Sequence, residues 1–126
     1  MDGAQLQGIA RSRADELPGS ELGHPFGAEW DVWKVRGKVF MLQTAVTGDP
    51  ILTVKAHPAD AQSLREAHEC ITAGYHMNKR HWITLRPGDL DAQLVEDVVT
   101  ESYLLVVEGL PRRLRPVDPA TFGPTR

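Results

Sequence analysis

The chain has 126 residues, 41% of them hydrophobic and 25% charged, a balance that fits one soluble globular domain and indicates neither a disordered nor a membrane class. A net charge of −3 gives no overall attraction to polyanions, so any contact with nucleic acid has to come from a local surface. Cys70 is the single cysteine, which excludes an intrachain disulfide, and apolar runs such as Leu104 to Val107 are too short to span a bilayer.

The start Met1-Asp2-Gly3 has neither a basic n-region nor an apolar h-region, so a cytoplasmic protein is expected. Charge is uneven along the chain. Residues 30 to 90 hold eight Lys/Arg against six Asp/Glu, whereas residues 1 to 29 hold two against five and residues 91 to 126 hold four against six. The middle of the chain is the mildly basic part.

In chain order, Leu6, Ile9, Arg13 and Leu17 recur at helical spacing, with Ala10 and Ala14 alongside, and predict a helix from Ala4 to Leu17 that ends at Pro18-Gly19. From Trp30 the period falls to two. Trp33 and Val35 take one side of a strand, and Trp30, Val32 and Lys34 the other. Arg36-Gly37 reads as a two-residue hairpin turn. The returning strand, Lys38 to Thr44, places Phe40 and Leu42 on one face and Val39, Met41 and Gln43 on the other.

Thr47-Gly48-Asp49-Pro50 makes the next turn, before a strand from Ile51 to Ala56 in which Leu52 and Val54 alternate with Thr53 and Lys55. His57-Pro58-Ala59-Asp60 opens a second helix with Ala61, Leu64 and Ala67 as its apolar stripe, ending near His68. Trp82 to Arg86 is strand-like, with Ile83 and Leu85 toward the core. Asp89 is the expected N-cap of the strongest helix, whose face runs through Leu94, Val95, Val98, Val99, Ser102, Leu105 and Val106 and stops at Gly109. The segment from Pro111 is rich in Pro and Arg. A single domain is expected over residues 1–115, with 116–126 as an extended or disordered tail.

This order predicts an α+β two-layer sandwich, an antiparallel sheet with the helices gathered on one face. The opposite face would carry Trp30, Lys34, Gln43, Thr53, Lys55, Trp82, Thr84 and Arg86, cations interleaved with aromatics that suit phosphates and bases. The alternative is that the proline-rich tail covers Trp30 and Trp82 and the lysines only solvate the face.

The densest stretch is Gly74-Tyr75-His76-Met77-Asn78-Lys79-Arg80-His81-Trp82, where two aromatics, two histidines and two cations fall within nine residues. As a loop it reads as a recognition surface. The structural alternative makes Tyr75 and Trp82 anchors and Asn78 a turn former. His68, Cys70, His76 and His81 match no zinc spacing, and Cys70 reads as a core thiol rather than a ligand or a nucleophile paired with His68 or His76. No metal and no cofactor is expected.

These residues resemble the MmcQ/YjbR-like proteins of bacteria. The matching pieces are Leu17-Pro18-Gly19, Pro25-Phe26-Gly27, Val32-Trp33-Lys34-Val35 followed by Gly37-Lys38-Val39-Phe40, Leu52-Thr53-Val54-Lys55, the block from Gly74 to Trp82, and Ser102-Tyr103 through Leu110-Pro111, spanning about residues 15 to 115 in the family's order. The resemblance implies a secretion-chaperone-like, YjbR-like α/β fold. It also implies DNA binding through a proposed double-wing motif, with Lys34, Lys38, Lys55, Asn78, Lys79 and Arg80 as contacts. His57 departs from the family, in which an acidic cap often precedes the proline, and so does the longer Pro/Arg tail.

The resulting expectation is a non-enzymatic, monomeric, cytoplasmic DNA-binding protein. It would touch phosphates through Lys34, Lys38, Lys55, Lys79, Arg80 and Arg86, with Tyr75, His76 and Trp82 supplying stacking or hydrogen bonds. The second expectation is a module for a small molecule or protein partner that uses the Tyr75 to Trp82 loop, in antibiotic self-protection or regulation.

Overall fold

The computed structural model describes residues 1–75 and 77–122. Helix α1 (Gly3–Glu16) starts at a capping box, in which Asp2 accepts from the Gln5 amide and the Gln5 side chain accepts from the Asp2 amide. Four strands follow, β1 (Ser20–Gly23), β2 (Trp30–Val35), β3 (Lys38–Thr44) and β4 (Ile51–Lys55). Helix α2 (Pro58–Ala67) leads to β5 (Ile71–Ala73) and β6 (Trp82–Leu85), and the long helix α3 (Ala92–Glu108) closes the fold before a 3-10 turn at Arg112–Leu114.

The six strands form one antiparallel sheet in the order β1-β2-β3-β4-β6-β5. Helices α1 and α3 pack on one face against β2, β3 and β4, and α2 packs by β5. This is the α+β two-layer arrangement expected from the periodicity. The Arg36-Gly37 turn has φ of +50° and +80°, the twist that a two-residue hairpin requires.

Two strands were not legible in the sequence. β1 and β5 are edge strands of four and three residues with no apolar alternation, and they exist because the sheet edges offer them unpaired hydrogen-bonding groups. The α3 cap also differs from expectation. Asp91 rather than Asp89 caps α3, its Oδ1 accepting from the Leu94 amide at 2.7 Å.

A bulge changes the facing of β3. The β2–β3 register passes from Trp33 opposite Met41 to Lys34 opposite Val39, which leaves Phe40 as the extra residue. Phe40 and Met41 therefore both belong to the helix-side core, and Gln43 faces α1, where its Nε2 donates to the Gln7 carbonyl at 2.9 Å. Leu42, expected beside Phe40, points to the opposite face in line with Val32 and Thr53. One inserted residue is enough to move every later side chain of the strand across the sheet.

The bulge is stitched by α3. Strand pairing between β3 and β4 ends at Met41 opposite Val54, and there the buried Ser102 hydroxyl donates to the Phe40 carbonyl and accepts from the Lys55 amide at 2.8 Å. Next to it Tyr103 meets Phe40 edge-on at 5.5 Å and donates to the Pro18 carbonyl at 2.6 Å. Burial raises the Tyr103 phenol above its ordinary value of 10.0.

The segment after α3 packs on this same side. Val117 and Phe122 contact the core, Phe122 lying 6.0 Å from Tyr103, while Arg115 donates to the carbonyls of Leu110 and Glu108. Through Phe122 it therefore runs along the helix layer, away from Trp30 and Trp82. The face opposite the helices is nevertheless closed: Val32, Leu42, Ile51, Thr53 and Thr84 are all buried.

Candidate nucleic-acid interface

Tyr75, in the loop between β5 and β6, lies over that face. Gly74 donates to the Trp82 carbonyl at 2.9 Å, and a Cβ at position 74 would lie 2.6 Å from Cβ of Trp82, so the close approach requires glycine. The next amide, Tyr75, donates to Oγ1 of Thr84 at 2.9 Å, and Thr84 in turn shares a hydrogen bond with Thr53 at 3.0 Å. The Tyr75 ring then stacks on Trp30 at 6.1 Å and 17°, reaching over the sheet from the β6 side to β2. The stacked pair thus links the loop between β5 and β6 to β2 across this face.

Asn78 builds the tip of the loop. Its Oδ1 accepts from the Arg80 amide at 2.9 Å, and its carbonyl accepts from the amides of His81 at 3.2 Å and Trp82 at 3.0 Å. Lys79 and Arg80 are held exposed at the apex of this turn. His76 lies outside the described residues.

Antiparallel order decides which cations meet. Lys34 near the end of β2, Lys38 at the start of β3, Lys55 at the end of β4 and Trp82 at the start of β6 all lie at one end of the sheet, where Trp82 stands opposite Lys55. The Lys79-Arg80 turn precedes Trp82 at that same end, tied down by the Ala56 amide donating to the His81 carbonyl. Arg86 is not part of this group. It follows Leu85 at the other end of β6, its amide bonded to the Cys70 carbonyl, and a four-residue strand separates it from Trp82 by about 13 Å.

The cationic end is not uniform. Glu21 stands opposite Lys34 on β1, a neighbour invisible without that strand, and Lys55 shares a groove of about 290 Å³ with Asp60, Asp97 and Glu101. Lys38, Lys79 and Arg80 make no ion pair among the described residues, whose three bridges are Arg11 to Asp31, Arg13 to Glu16 and His24 to Asp31. Of the sequence-predicted aromatics, Tyr75 is engaged by Trp30 and Trp82 is half-buried.

A further cation, not among the sequence-predicted contacts, lies nearby. Arg65 on α2 lines a second groove with Lys79 and Arg80, and it stands four residues after Ala61, a cation just beyond the apolar stripe. That position was the available signal. Cys70 is half-buried with its side chain against Gly88, where a Cβ would meet the Cys70 Cβ at 2.9 Å. Among the described residues no three His, Cys, Asp or Glu side chains gather to hold a metal ion, and no helix is long and apolar enough to cross a membrane.

Comparison with known proteins agrees with this architecture. The chain is similar to YbdF of Escherichia coli O157:H7, 41% identical over 114 residues that cover 90% of this chain and 93% of the relative. It is also similar to YjbR of Escherichia coli K12, 31% identical over 83 residues, 65% of this chain and 70% of the relative. Among solved structures, a Deinococcus radiodurans protein with a DUF419 domain superposes with a TM-score of 0.77 at 36% identity, covering 83% of this chain and 81% of that one. A crystal structure of a Pseudomonas syringae protein gives 0.66 at 26% identity, covering 83% and 98%. With residues 15–105 matching the pattern of the YjbR family and the same fold in these relatives, the chain belongs to the YjbR family.

Proposed function

We propose that this protein is a non-enzymatic DNA-binding protein that holds the phosphate backbone at the cationic end of its sheet. The supporting observation is that strand order brings Lys34, Lys38, Lys55 and the Lys79-Arg80 turn, residues spread over 47 positions of sequence, to one end of the sheet. Arg36, exposed in the hairpin and bonded to the Leu114 carbonyl, extends the same edge. A row of cations without aligned base-reading groups recognises charge rather than sequence.

The geometry favours backbone contact over base stacking. Tyr75 already has Trp30 on one face, so a base would have to compete with that stack, and Thr53 and Thr84 on the same face of the sheet are buried. Glu21 beside Lys34 and the carboxylates around Lys55 reduce the cations that can be neutralised, leaving Lys38, Lys79 and Arg80 as the principal contacts. Affinity is then weak and falls with salt, with a slope of about −3 in log K against log salt for roughly three phosphates.

Titration of duplex DNA into labelled protein at low salt tests the reading. The expected result is a shift of the Lys38, Lys79 and Arg80 amides, loss of binding in a Lys79→Glu/Arg80→Glu variant, and no effect of Arg86→Gln. If duplex and single-stranded DNA both leave these signals unmoved, DNA is not the ligand.

A further inference from the structure

We infer that the groove between α2 and the Lys79-Arg80 turn is a discrete binding site for a phosphate monoester. This goes beyond the DNA reading, because it needs no polymer and involves Arg65, which stands on α2 rather than on the sheet. The open groove has a volume of about 470 Å³, within the range of small-ligand sites. Its charged lining is Arg65, Lys79 and Arg80, with Gln62 as a further amide and Pro58 and Ala73 as apolar walls; among the described residues no carboxylate lines it.

The same helix face supplies the α2 contribution. Pro58, Gln62 and Arg65 fall at i, i+4 and i+7, one stripe of the helix, and the Asn78-anchored turn brings the other two cations over it. None of the three cations pairs with a carboxylate among the described residues. Nη1 of Arg65 is buried without a hydrogen-bond partner among the described residues, while the half-buried residue itself lines the groove.

Three cations around one cavity match a dianion better than a single carboxylate does. The planar fork of a guanidinium fits two phosphate oxygens, and the two flexible groups at the turn can close on the third. The α2 backbone adds little. Pro58 has no N–H and the Ala59 amide is taken by Nδ1 of His57, so the side chains must do the binding. The remaining volume, walled by Pro58 and Ala73, accommodates the body of the ester.

The test is an NMR titration of the full chain with inorganic phosphate, AMP and adenosine at constant ionic strength held with chloride. Phosphate and AMP are expected to shift Arg65 Nε and the Lys79 and Arg80 amides, with a dissociation constant on the order of 1 mM, and adenosine is not. Arg65→Gln should weaken AMP binding about tenfold or more. Lys79→Gln/Arg80→Gln, on an exposed turn, gives the same reading should the helix variant fold poorly. Shifts equal for AMP and adenosine, or none with phosphate, overturn the site. A duplex titrated in parallel separates the two readings: duplex shifts at Lys38 without phosphate shifts at Arg65 remove the groove and keep DNA binding, and the converse removes DNA binding and keeps the groove.

Discussion

Replacing Ser102 by alanine tests the link between the β3 bulge and the cationic end. The hydroxyl is the hydrogen-bond acceptor of the Lys55 amide at 2.8 Å and the donor to the Phe40 carbonyl, and the residue has no exposed surface. Alanine leaves both backbone groups without that partner at a buried position. A buried unsatisfied group costs about 1–3 kcal/mol; Phe40 is fully buried while Lys55 is half-exposed, so the sum is about 2–4 kcal/mol. That is a large share of the roughly 5–15 kcal/mol by which such a domain is stable. Urea unfolding should show a lower midpoint at an unchanged slope, and amide exchange at Lys55 should accelerate. A loss below about 0.5 kcal/mol, or an unchanged Lys55 exchange rate, would refute the view that the serine replaces a missing rung of the ladder.

Two further outcomes follow from particular contacts. Gly74→Ala places a Cβ 2.6 Å from that of Trp82 and should cost about 1–3 kcal/mol while shifting the amides of Tyr75 and Trp82; a melt identical to the parent would show that the loop yields freely. Tyr103 has its phenol raised by burial, so its contribution to stability is complete below the unfolded value of about 10 and is lost as pH climbs through the higher folded value. Tyr103→Phe should lose about 1 kcal/mol at neutral pH, from the bond to the Pro18 carbonyl, yet decline less steeply in alkali; parallel stability curves above pH 10 would contradict this.

Much of the site was legible as composition and little of it as arrangement. Asn78 followed by two cations announces an exposed turn, and its Oδ1 indeed holds the Arg80 amide. The aromatics of the same loop gave no sign that Tyr75 would be spent on Trp30, forty-five positions earlier, because a stack across a sheet depends on strand order. Arg86 looked equivalent to Lys55 by alternation alone. It is separated from the others because register, not period, fixes which strand ends coincide. Glu21 and Arg65 entered only once β1 and the groove over α2 existed.

The linear chain by itself determined the three helices, the Arg36-Gly37 hairpin and the alternation of β4 and β6, since capping, turn chemistry and hydrophobic period act between near neighbours. Tertiary structure decided the edge strands β1 and β5, the bulge that sends Leu42 to the far face, and the gathering of cations at one end of the sheet. Those features depend on hydrogen bonds and packing between residues distant in sequence, whose energies are set by where the partner strand or helix comes to lie.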